Sequence, residues 1–279
     1  MIATLFVTSS TSGAEKFVYN CNQGFVWIHE GKGYPILTDV NEDKGVLRAI
    51  ETLVKDARTI TDASIETFQS LKESRMIIIG TIGQSTWIQQ LIASGKIDRK
   101  ELEGKREKYL IQTIEQPFQG VDEAVVIAGS DKRGAIYGIY ELSEQMGISP
   151  WYYWADVPIH KQSTICIKPG IYTDGEPAVK YRGIFLNDEW PCLGNWANMT
   201  FGGFNSQFYE KVFELILRLR GNYLWPAMWG NVFSEEGSEH PHDNIRVADE
   251  YGVVMGTSHH EPMCRAGEEW RHLWQQYTD

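Results

Sequence analysis

Residues 208–225 read FYEKVFELILRLRGNYLW, a segment in which helical periodicity gives way to a short apolar strand pattern. The apolar residues of its first part recur at helical spacing: Val212, Leu215, Ile216 and Leu219. That spacing predicts an amphipathic helix. Gly221 predicts the helix end, because glycine tolerates the backbone conformation that closes a helix. Tyr223 to Trp225 then begins a strand, so the segment is a helix–strand connection.

The same alternation continues on both sides of this segment. Lys180 to Leu186 predicts a strand before it, and Asp243 to Tyr251 predicts a helix after it. A third strand follows at Val253 to Gly256, and a further helix begins at Gly267. Repeated strand–helix units predict a parallel α/β sheet. A complete (β/α)8 TIM barrel takes about 250 residues, so two interpretations stay open: an open α/β sheet, or the first three βα units of a truncated barrel.

The first part of the chain also alternates strands and helices. Strands are predicted at Arg75 to Gly80, Tyr109 to Ile114 and Glu123 to Ala128, and helices at Asn41 to Ala57, Ser85 to Ser94 and Ala135 to Met146. Glycine and proline at 173–177 indicate a linker. We therefore predict an N-terminal α/β domain at residues 17–175 and a partial barrel at 176–279. Residues 1–16 lack the basic start and the long apolar run of a complete signal peptide. They are therefore either the remnant of one or a disordered N-terminus.

The loop 129–134 (GSDKRG) joins a predicted strand to a predicted helix. Free N–H groups at the helix start, with Lys132 and Arg133 beside them, suit an anion. The phosphate-loop pattern GxxxxGK[ST] is absent from this loop, which favours a structural turn. The two cations would help to bind an anionic substrate only if the loop folds over the mouth of the barrel.

Composition excludes several classes of function. The net charge of −11 argues against nucleic acid as a partner, because phosphate binding needs a basic surface. No apolar run approaches the ~18 residues of a membrane span. The four cysteines show no CxxC spacing and give no zinc-ribbon or disulfide pattern.

Polar and aromatic residues cluster where the three barrel-like strands end. The clusters are Asn187–Trp190, Trp225–Asn231 and His259–Glu261. In a barrel these loops converge on the face where substrates bind. Because successive strand residues point to opposite sides, Asp188 and Glu189 should not both face one pocket. We expect one of them to face the pocket and the other to contact a neighbouring loop.

Other kinds of active site receive little support. His259-His260-Glu261 lacks the HExxH arrangement, so a hydrogen-bonding role is favoured over a metal site. A serine nucleophile system is disfavoured because the chain has no GxSxG elbow.

Four motifs, in this order, carry a resemblance to a known family. They are EAVVIAGSDKRGAIYGIYELSEQMGISPWYYWADVP (123–158), KYRGIFLNDEWP (180–191), RLRGNYLWPAMWGNVF (218–233) and DEYGVVMGTSHHEPM (249–263). Together they closely resemble glycoside hydrolase family 115, the xylan α-1,2-glucuronidases. The strand–GSDKRG–helix part is also similar to the small α/β domain that precedes the barrel in hexosaminidases and in family 67 α-glucuronidases.

The resemblance implies an inverting α-1,2-glucuronidase that removes glucuronic acid or its 4-O-methyl ether from glucuronoxylan, without a metal or an organic cofactor. Such enzymes act outside the cytoplasm, in the extracellular space or the periplasm, and are often homodimers. Asp188 is the best catalytic candidate, and Glu189 is expected to be structural. The residues expected to line the substrate pocket are Asn187, Trp225, Trp229, Asn231, His259, His260 and Glu261.

Alternatives to this interpretation remain. In the family the proposed acid and base carboxylates lie on later barrel strands, so these 279 residues are expected to be an N-terminal fragment without turnover of its own. A non-catalytic carbohydrate-binding or interaction module is a second hypothesis. It would leave an exposed parallel sheet edge, a liability for a free-standing protein. A hexosaminidase-like or family 67 glycosidase is the third.

Overall fold

The computed structural model describes residues 15–19, 24–186, 189–256 and 274–276. Its strands are β1 (Val18–Tyr19), β2 (Phe25–His29), β3 (Lys32–Gly33), β4 (Ile36–Leu37), β5 (Thr67–Phe68), β6 (Arg75–Thr81), β7 (Tyr109–Glu115), β8 (Glu123–Gly129), β9 (Thr164–Ile167), β10 (Ile171–Tyr172), β11 (Gly183–Phe185), β12 (Tyr223–Trp225) and β13 (Val254–Met255). Its α-helices are α1 (Lys44–Thr61), α2 (Thr86–Ala93), α3 (Lys132–Met146), α4 (Gly194–Phe201), α5 (Ser206–Arg218) and α6 (Asp243–Tyr251). No helix among these residues is both long and apolar enough to cross a membrane.

The strands form three sheets. A six-stranded sheet has the order β10-β7-β8-β6-β4-β5, with β7 and β10 antiparallel to their neighbours and the others parallel. A four-stranded antiparallel sheet has the order β1-β9-β2-β3. The third sheet is parallel, with the order β11-β12-β13. The fold class is therefore mixed α/β, as predicted, and the described residues form no closed barrel.

The six-stranded sheet is buried on both faces, which explains the continuous apolar run of β6. Ile77 and Ile79 belong to the larger core, with α1 and α3. Met76 and Ile78 point the other way, into a smaller core that includes residues of α2. Side chains alternate across a strand, so a strand with helices on both sides is apolar throughout.

Side-chain caps set the starts of the helices in this part. The Asp43, Ser85 and Asp131 side chains each accept a backbone N–H of the first turn, at the starts of α1, α2 and α3. These caps satisfy donors that have no partner within the helix. The predicted helix at 135–146 begins earlier, at Lys132, because Asp131 is its cap.

The parallel three-stranded sheet is built from two strand–helix–strand units. Helices α4 and α5 connect β11 to β12, and α6 connects β12 to β13. Leu224 is fully buried in the larger core, which also contains Phe213, Ile216 and Val247 from these helices. Since the larger core includes both this sheet's helices and those of the six-stranded sheet, it runs through both parts of the chain. The domain boundary at residue 175 stays a prediction.

Two sequence-based details of this region were wrong. Helix α4 was not predicted, because an eight-residue helix rich in aromatic and amide side chains gives a weak periodic signal. Helix α5 ends at Arg218 rather than near Gly221, and Arg220 has the left-handed φ of 60°. Gly221 is needed for close approach instead, since a Cβ there would lie 3.0 Å from the Arg182 carbonyl oxygen.

A buried carboxylate joins the two parts of the chain. The Glu107 side chain is fully buried, and its Oε1 accepts from Arg133 Nε at 2.6 Å and Asn222 Nδ2 at 2.7 Å. Its Oε2 accepts from Arg182 Nη2 at 2.6 Å. Arg182 directly precedes β11, and Asn222 directly precedes β12. Glu107 therefore fixes the amino ends of two strands whose other ends carry the candidate site.

We expect Glu107→Gln to lower the free energy of unfolding by about 2 kcal/mol at pH 7, and by less in acid. Burial alone would raise the pKa of Glu107, but hydrogen bonds from Asn222 and Arg182 and the charges of Arg133 and Arg182 hold it below the ordinary 4.5. A lowered folded pKa stabilises the protein above the unfolded pKa, and that stabilisation is lost as the pH falls through the folded pKa. Urea unfolding at pH 7 and at about pH 3.5 measures both differences. A difference in unfolding free energy between the two proteins that is larger in acid than at pH 7 would contradict the lowered pKa of Glu107.

Candidate active site

The three parallel strands end at one edge of their sheet, where the candidate site lies. Phe185 pairs with Trp225 in register, and Leu224 pairs with Met255. The segments that follow β11, β12 and β13 therefore start side by side at the carboxyl edge. Ligands of parallel α/β folds bind at this edge because loops from several strands meet there.

The predicted site residues divide into two groups. Trp225, Trp229 and Asn231 lie within the described residues, Trp225 at the end of β12 and the other two in the loop after it. The others lie outside them: Asn187, Asp188, His259, His260 and Glu261. Their roles stay predictions from the sequence. For this part of the site, the structure describes the strand ends that precede them.

An aromatic pair lies at the strand ends. The rings of Phe185 and Trp225 are 4.5 Å apart, with an interplanar angle of 34°. Both side chains are half-buried. By alternation they point away from Leu224, which faces the helices, and so lie on the side of the sheet that a barrel would enclose. Aromatic rings in this position offer a flat apolar face to a sugar ring.

Trp229 stands at the tip of the loop after β12. Its side chain is 55% exposed, and Gly230 beside it has φ 69°, a left-handed conformation that suits glycine. Asn231 Nδ2 donates to the Trp229 carbonyl at 2.8 Å. The amide of Asn231 therefore holds the turn, and the indole of Trp229 is the group that extends from it.

Glu189 contacts the neighbouring loop, as expected for one member of the Asp188–Glu189 pair. It is only 1% exposed, and its Oε1 accepts the backbone N–H of Met228 at 2.9 Å. Its Oε2 is also buried and has no hydrogen-bond partner among the described residues. Glu189 thus ties the end of β11 to the loop that carries Trp229.

The carboxylate of Glu236, in the loop after β12, was missed by the sequence analysis. Glu236 Oε1 accepts the backbone N–H of Val232 at 2.8 Å, and the Glu236 carbonyl accepts the N–H of Asn244 at 3.1 Å. Below it, the rings of Tyr209 and Phe233 are 4.8 Å apart in an edge-on contact. The loop base is therefore anchored in the core. Because these two partners are backbone groups, the sequence carries no signal for the contacts.

The GSDKRG loop lies at the opposite edge. Lys132 Nζ donates to the Asp249 carbonyl at 2.9 Å and pairs with Asp43 at 3.2 Å. Arg133 Nη1 donates to the Gly252 carbonyl at 2.9 Å. Gly252 precedes β13, so both cations lie at the amino ends of the strands. The idea that this loop covers the barrel mouth is therefore wrong, and the alternative of a structural turn is correct.

Metal-ligating side chains do not gather anywhere in the described part of the chain. No group of three or more His, Cys, Asp or Glu residues there has an arrangement that could hold an ion. Asp243, which opens α6, instead accepts the backbone N–H groups of Glu239 and His240 at 3.1 and 2.9 Å.

Comparison with known families supports the resemblance seen in the motifs. The model of glycosyl hydrolase family 115 matches residues 174–279. The model of the family 67 N-terminus matches residues 36–142. The first match covers the three-stranded sheet and its helices, and the second covers most of the six-stranded sheet. Among curated proteins, a search gives no match.

A solved structure of the same family matches most of this chain. BtGH115A, a family GH115 4-O-methyl-α-glucuronidase with specificity for decorated arabinogalactans, is 35% identical, with a TM-score of 0.75 over 88% of this chain. This chain spans 31% of that protein's length. CpGH84D is 8% identical, with a TM-score of 0.51, over 86% of this chain and 35% of its own, which is a likeness of fold alone. A Streptomyces plicatus β-hexosaminidase is 11% identical over 84% of this chain and 43% of its own, with a TM-score of 0.48. From the family match and the GH115 structure, the chain belongs to glycosyl hydrolase family 115.

Proposed function

We propose that the chain contributes to an inverting α-1,2-glucuronidase that releases glucuronic acid or its 4-O-methyl ether from glucuronoxylan. The observation that carries this proposal is the 35% identity, over 88% of the chain, to a 4-O-methyl-α-glucuronidase of the same family. The position of the candidate residues supports it, because they follow the carboxyl ends of three adjacent parallel strands. On this proposal the three strands are part of a (β/α)8 barrel.

Inversion assigns separate roles to two carboxyl groups. One protonates the leaving oxygen and the other activates water, and they stand ~6.5–9.5 Å apart to leave room for that water. Asp188 is proposed either as one of this pair or as a ligand of the sugar hydroxyls. Trp225 and Trp229 would stack on a sugar face. The remaining candidates would hydrogen-bond the uronate or its hydroxyls: Asn187, Asn231, His259, His260 and Glu261.

The polymeric substrate implies where and in what form the enzyme acts. A branched polysaccharide stays outside the cell, so we propose an extracellular or periplasmic enzyme. A homodimer is proposed for the whole protein. The net charge of −11 agrees with a substrate that is not a nucleic acid.

A second candidate polymer comes from the relative's specificity. BtGH115A is described as specific for decorated arabinogalactans. An α-linked uronic acid on a galactan backbone would place the same sugar in the same pocket. The two candidates share the leaving uronic acid and differ in the backbone that carries it.

Both polymers can be tested in one assay. We expect the active enzyme to release uronic acid from glucuronoxylan, and to release less from an arabinogalactan that bears the same sugar. Proton NMR of the first product should show the β-anomer, since an inverting enzyme changes the configuration of an α-linkage. Release of the α-anomer, or cleavage only of N-acetylhexosamine substrates, would contradict the proposal. Binding without release would favour the carbohydrate-binding module.

A further inference from the structure

A stretch without charged residues follows β11 and runs into the first turn of α5. From Trp190 to Tyr209 the sequence contains no Asp, Glu, Lys or Arg, although 23% of the chain is charged. The stretch follows the end of β11 and includes α4, and α5 then returns to the start of β12. Because it connects the carboxyl end of a strand to the start of the returning helix, it lies on the same face as the candidate site.

Large apolar side chains are exposed along this stretch. Trp190 is 47% exposed, Trp196 is 38% exposed and Met199 is 89% exposed. Between them, Asn195 and Asn198 are exposed and uncharged. We call these five side chains the α4 surface. Exposed aromatic and methionine side chains that lie together without charges are typical of binding surfaces rather than of ordinary solvent-facing surface.

The α4 surface is held by the core beneath it. The Trp196 ring lies 5.4 Å from that of Trp154 and 5.5 Å from that of Phe201. Trp154 is itself fixed, because its Nε1 donates to the Lys211 carbonyl at 3.2 Å. A ring that is held by tilted and edge-on aromatic contacts while part of it stays exposed is preorganised, so a ligand need not order it on binding.

Trp190 extends the surface toward the candidate site. Its ring packs on Gly194, where an added Cβ would lie 2.6 Å from Trp190 Cδ2. Its chain neighbour Glu189 binds the backbone of Met228, next to Trp229. Trp190 and Trp229, each about half exposed, therefore lie in two loops that Glu189 joins. The segment that carries the α4 surface is therefore joined, through Glu189, to the loop that carries the candidate stacking residue.

The size and charge of the surface favour a saccharide over a protein. Helix α4 has eight residues and is about 12 Å long. A stable protein interface buries about 1,200–2,000 Å² in total, more than so short a helix offers. A neutral polymer suits an uncharged patch on a chain of net charge −11. Xylopyranose has no exocyclic CH₂OH group, so both faces of its ring can lie flat on an indole.

We propose that the α4 surface binds the neutral xylan backbone next to the uronic acid that enters the candidate site. This rests on the proposed function for the identity of the polymer. The indoles of Trp190 and Trp196 stack on backbone xylose units, and the exposed amides of Asn195 and Asn198 meet their hydroxyls. The surface thereby aligns the polymer so that its side branch reaches the strand ends.

The test is calorimetric binding of unbranched xylohexaose to the full chain. We expect Trp196→Ala to weaken binding about tenfold, the loss of one aromatic contact. Because Trp196 also touches the core, Met199→Asp is the second variant. It adds a charge at a position that is 89% exposed and should also weaken binding. Tyr181→Ala is the matched control, since Tyr181 is 51% exposed and precedes β11 at the opposite edge; its affinity should be unchanged.

The outcomes separate this proposal from the proposed function. Asp188→Ala should leave xylohexaose binding intact while it weakens the binding of free glucuronic acid. Failure of uronic acid release alone would count against the proposed function and leave the α4 surface standing. Three results would overturn the α4 surface: no xylohexaose binding, binding unaffected by both α4 variants, or tighter binding of a galactan oligosaccharide. Loss of a dimer in sedimentation on Trp196→Ala would assign the surface to a second copy instead.

Discussion

Replacing Arg218 by methionine is expected to lower the free energy of unfolding by about 3–5 kcal/mol, the usual cost of leaving a buried charge unpaired. Arg218 is 2% exposed, and its Nη2 lies 2.8 Å from Asp56 Oδ2 while its Nε lies 2.9 Å from Glu214 Oε1. Its guanidinium also stacks 4.6 Å from the Tyr140 ring. Since α1, α3 and α5 each supply one of these groups, the substitution removes the cation that pairs with Asp56 between three helices. It leaves Glu214 with the more distant Lys211, at 4.0 Å, as its cation.

Arg99 is the matched control for this experiment. It forms the same kind of i,i+4 pair, with Glu103 at 2.8 Å, but its side chain is 57% exposed. Arg99→Met should change the free energy of unfolding by at most about 1 kcal/mol, because exposed ion pairs contribute little. Urea unfolding of both variants gives the comparison.

A double variant tests the mechanism of the Arg218 effect. Adding Asp56→Asn to Arg218→Met should recover part of the loss, since it removes one of the carboxylates that lost a partner. Equal losses for the Arg218 and Arg99 variants would contradict the buried pairing. A double variant that loses more unfolding free energy than the sum of the two single losses would also contradict it.

Local sequence patterns predicted the elements that are long and have a clear apolar stripe or a continuous apolar run. The apolar stripe of α5 and the continuous apolar run of β6 are signals carried by neighbouring residues, so both elements appeared close to their observed places. The two-residue strands β4 and β5 have no such signal, because they exist only through pairing with β6 and with each other. Their residues adopt strand geometry for tertiary reasons.

The strand ends that precede the candidate residues could be placed from the sequence, but the contacts around them could not. Side-chain alternation only predicted that Asp188 and Glu189 would not face one pocket. The direction of Lys132 and Arg133 could not be predicted, since it depends on Asp249 and Gly252, which lie 117 and 119 residues away along the chain. Glu107 was missed for the same reason: its partner Asn222 is 115 residues away along the chain.

Asp188→Ala is expected to lower kcat of the active enzyme by about 10²–10⁴-fold, the contribution of a positioned general acid or base, without changing the thermal midpoint. The argument rests on its neighbour. Glu189 uses its carboxylate to hold the Met228 backbone and is buried. Because Glu189 is used in this contact, Asp188 is the member of the pair that we propose for the pocket.

Glu189→Ala is the comparison that makes this prediction sharp. It should lower the free energy of unfolding by about 1–3 kcal/mol, because the buried Met228 N–H loses its acceptor. Substitution of Asp188 should therefore lower the rate, and substitution of its neighbour Glu189 should lower the stability.

Initial rates on glucuronoxylan across pH distinguish the two roles proposed for Asp188. An acid or base loses one limb of the pH profile, whereas a sugar ligand raises KM with kcat little changed. An Asp188→Ala enzyme with unaltered kinetics, or one that is destabilised as much as Glu189→Ala, would remove Asp188 from the site.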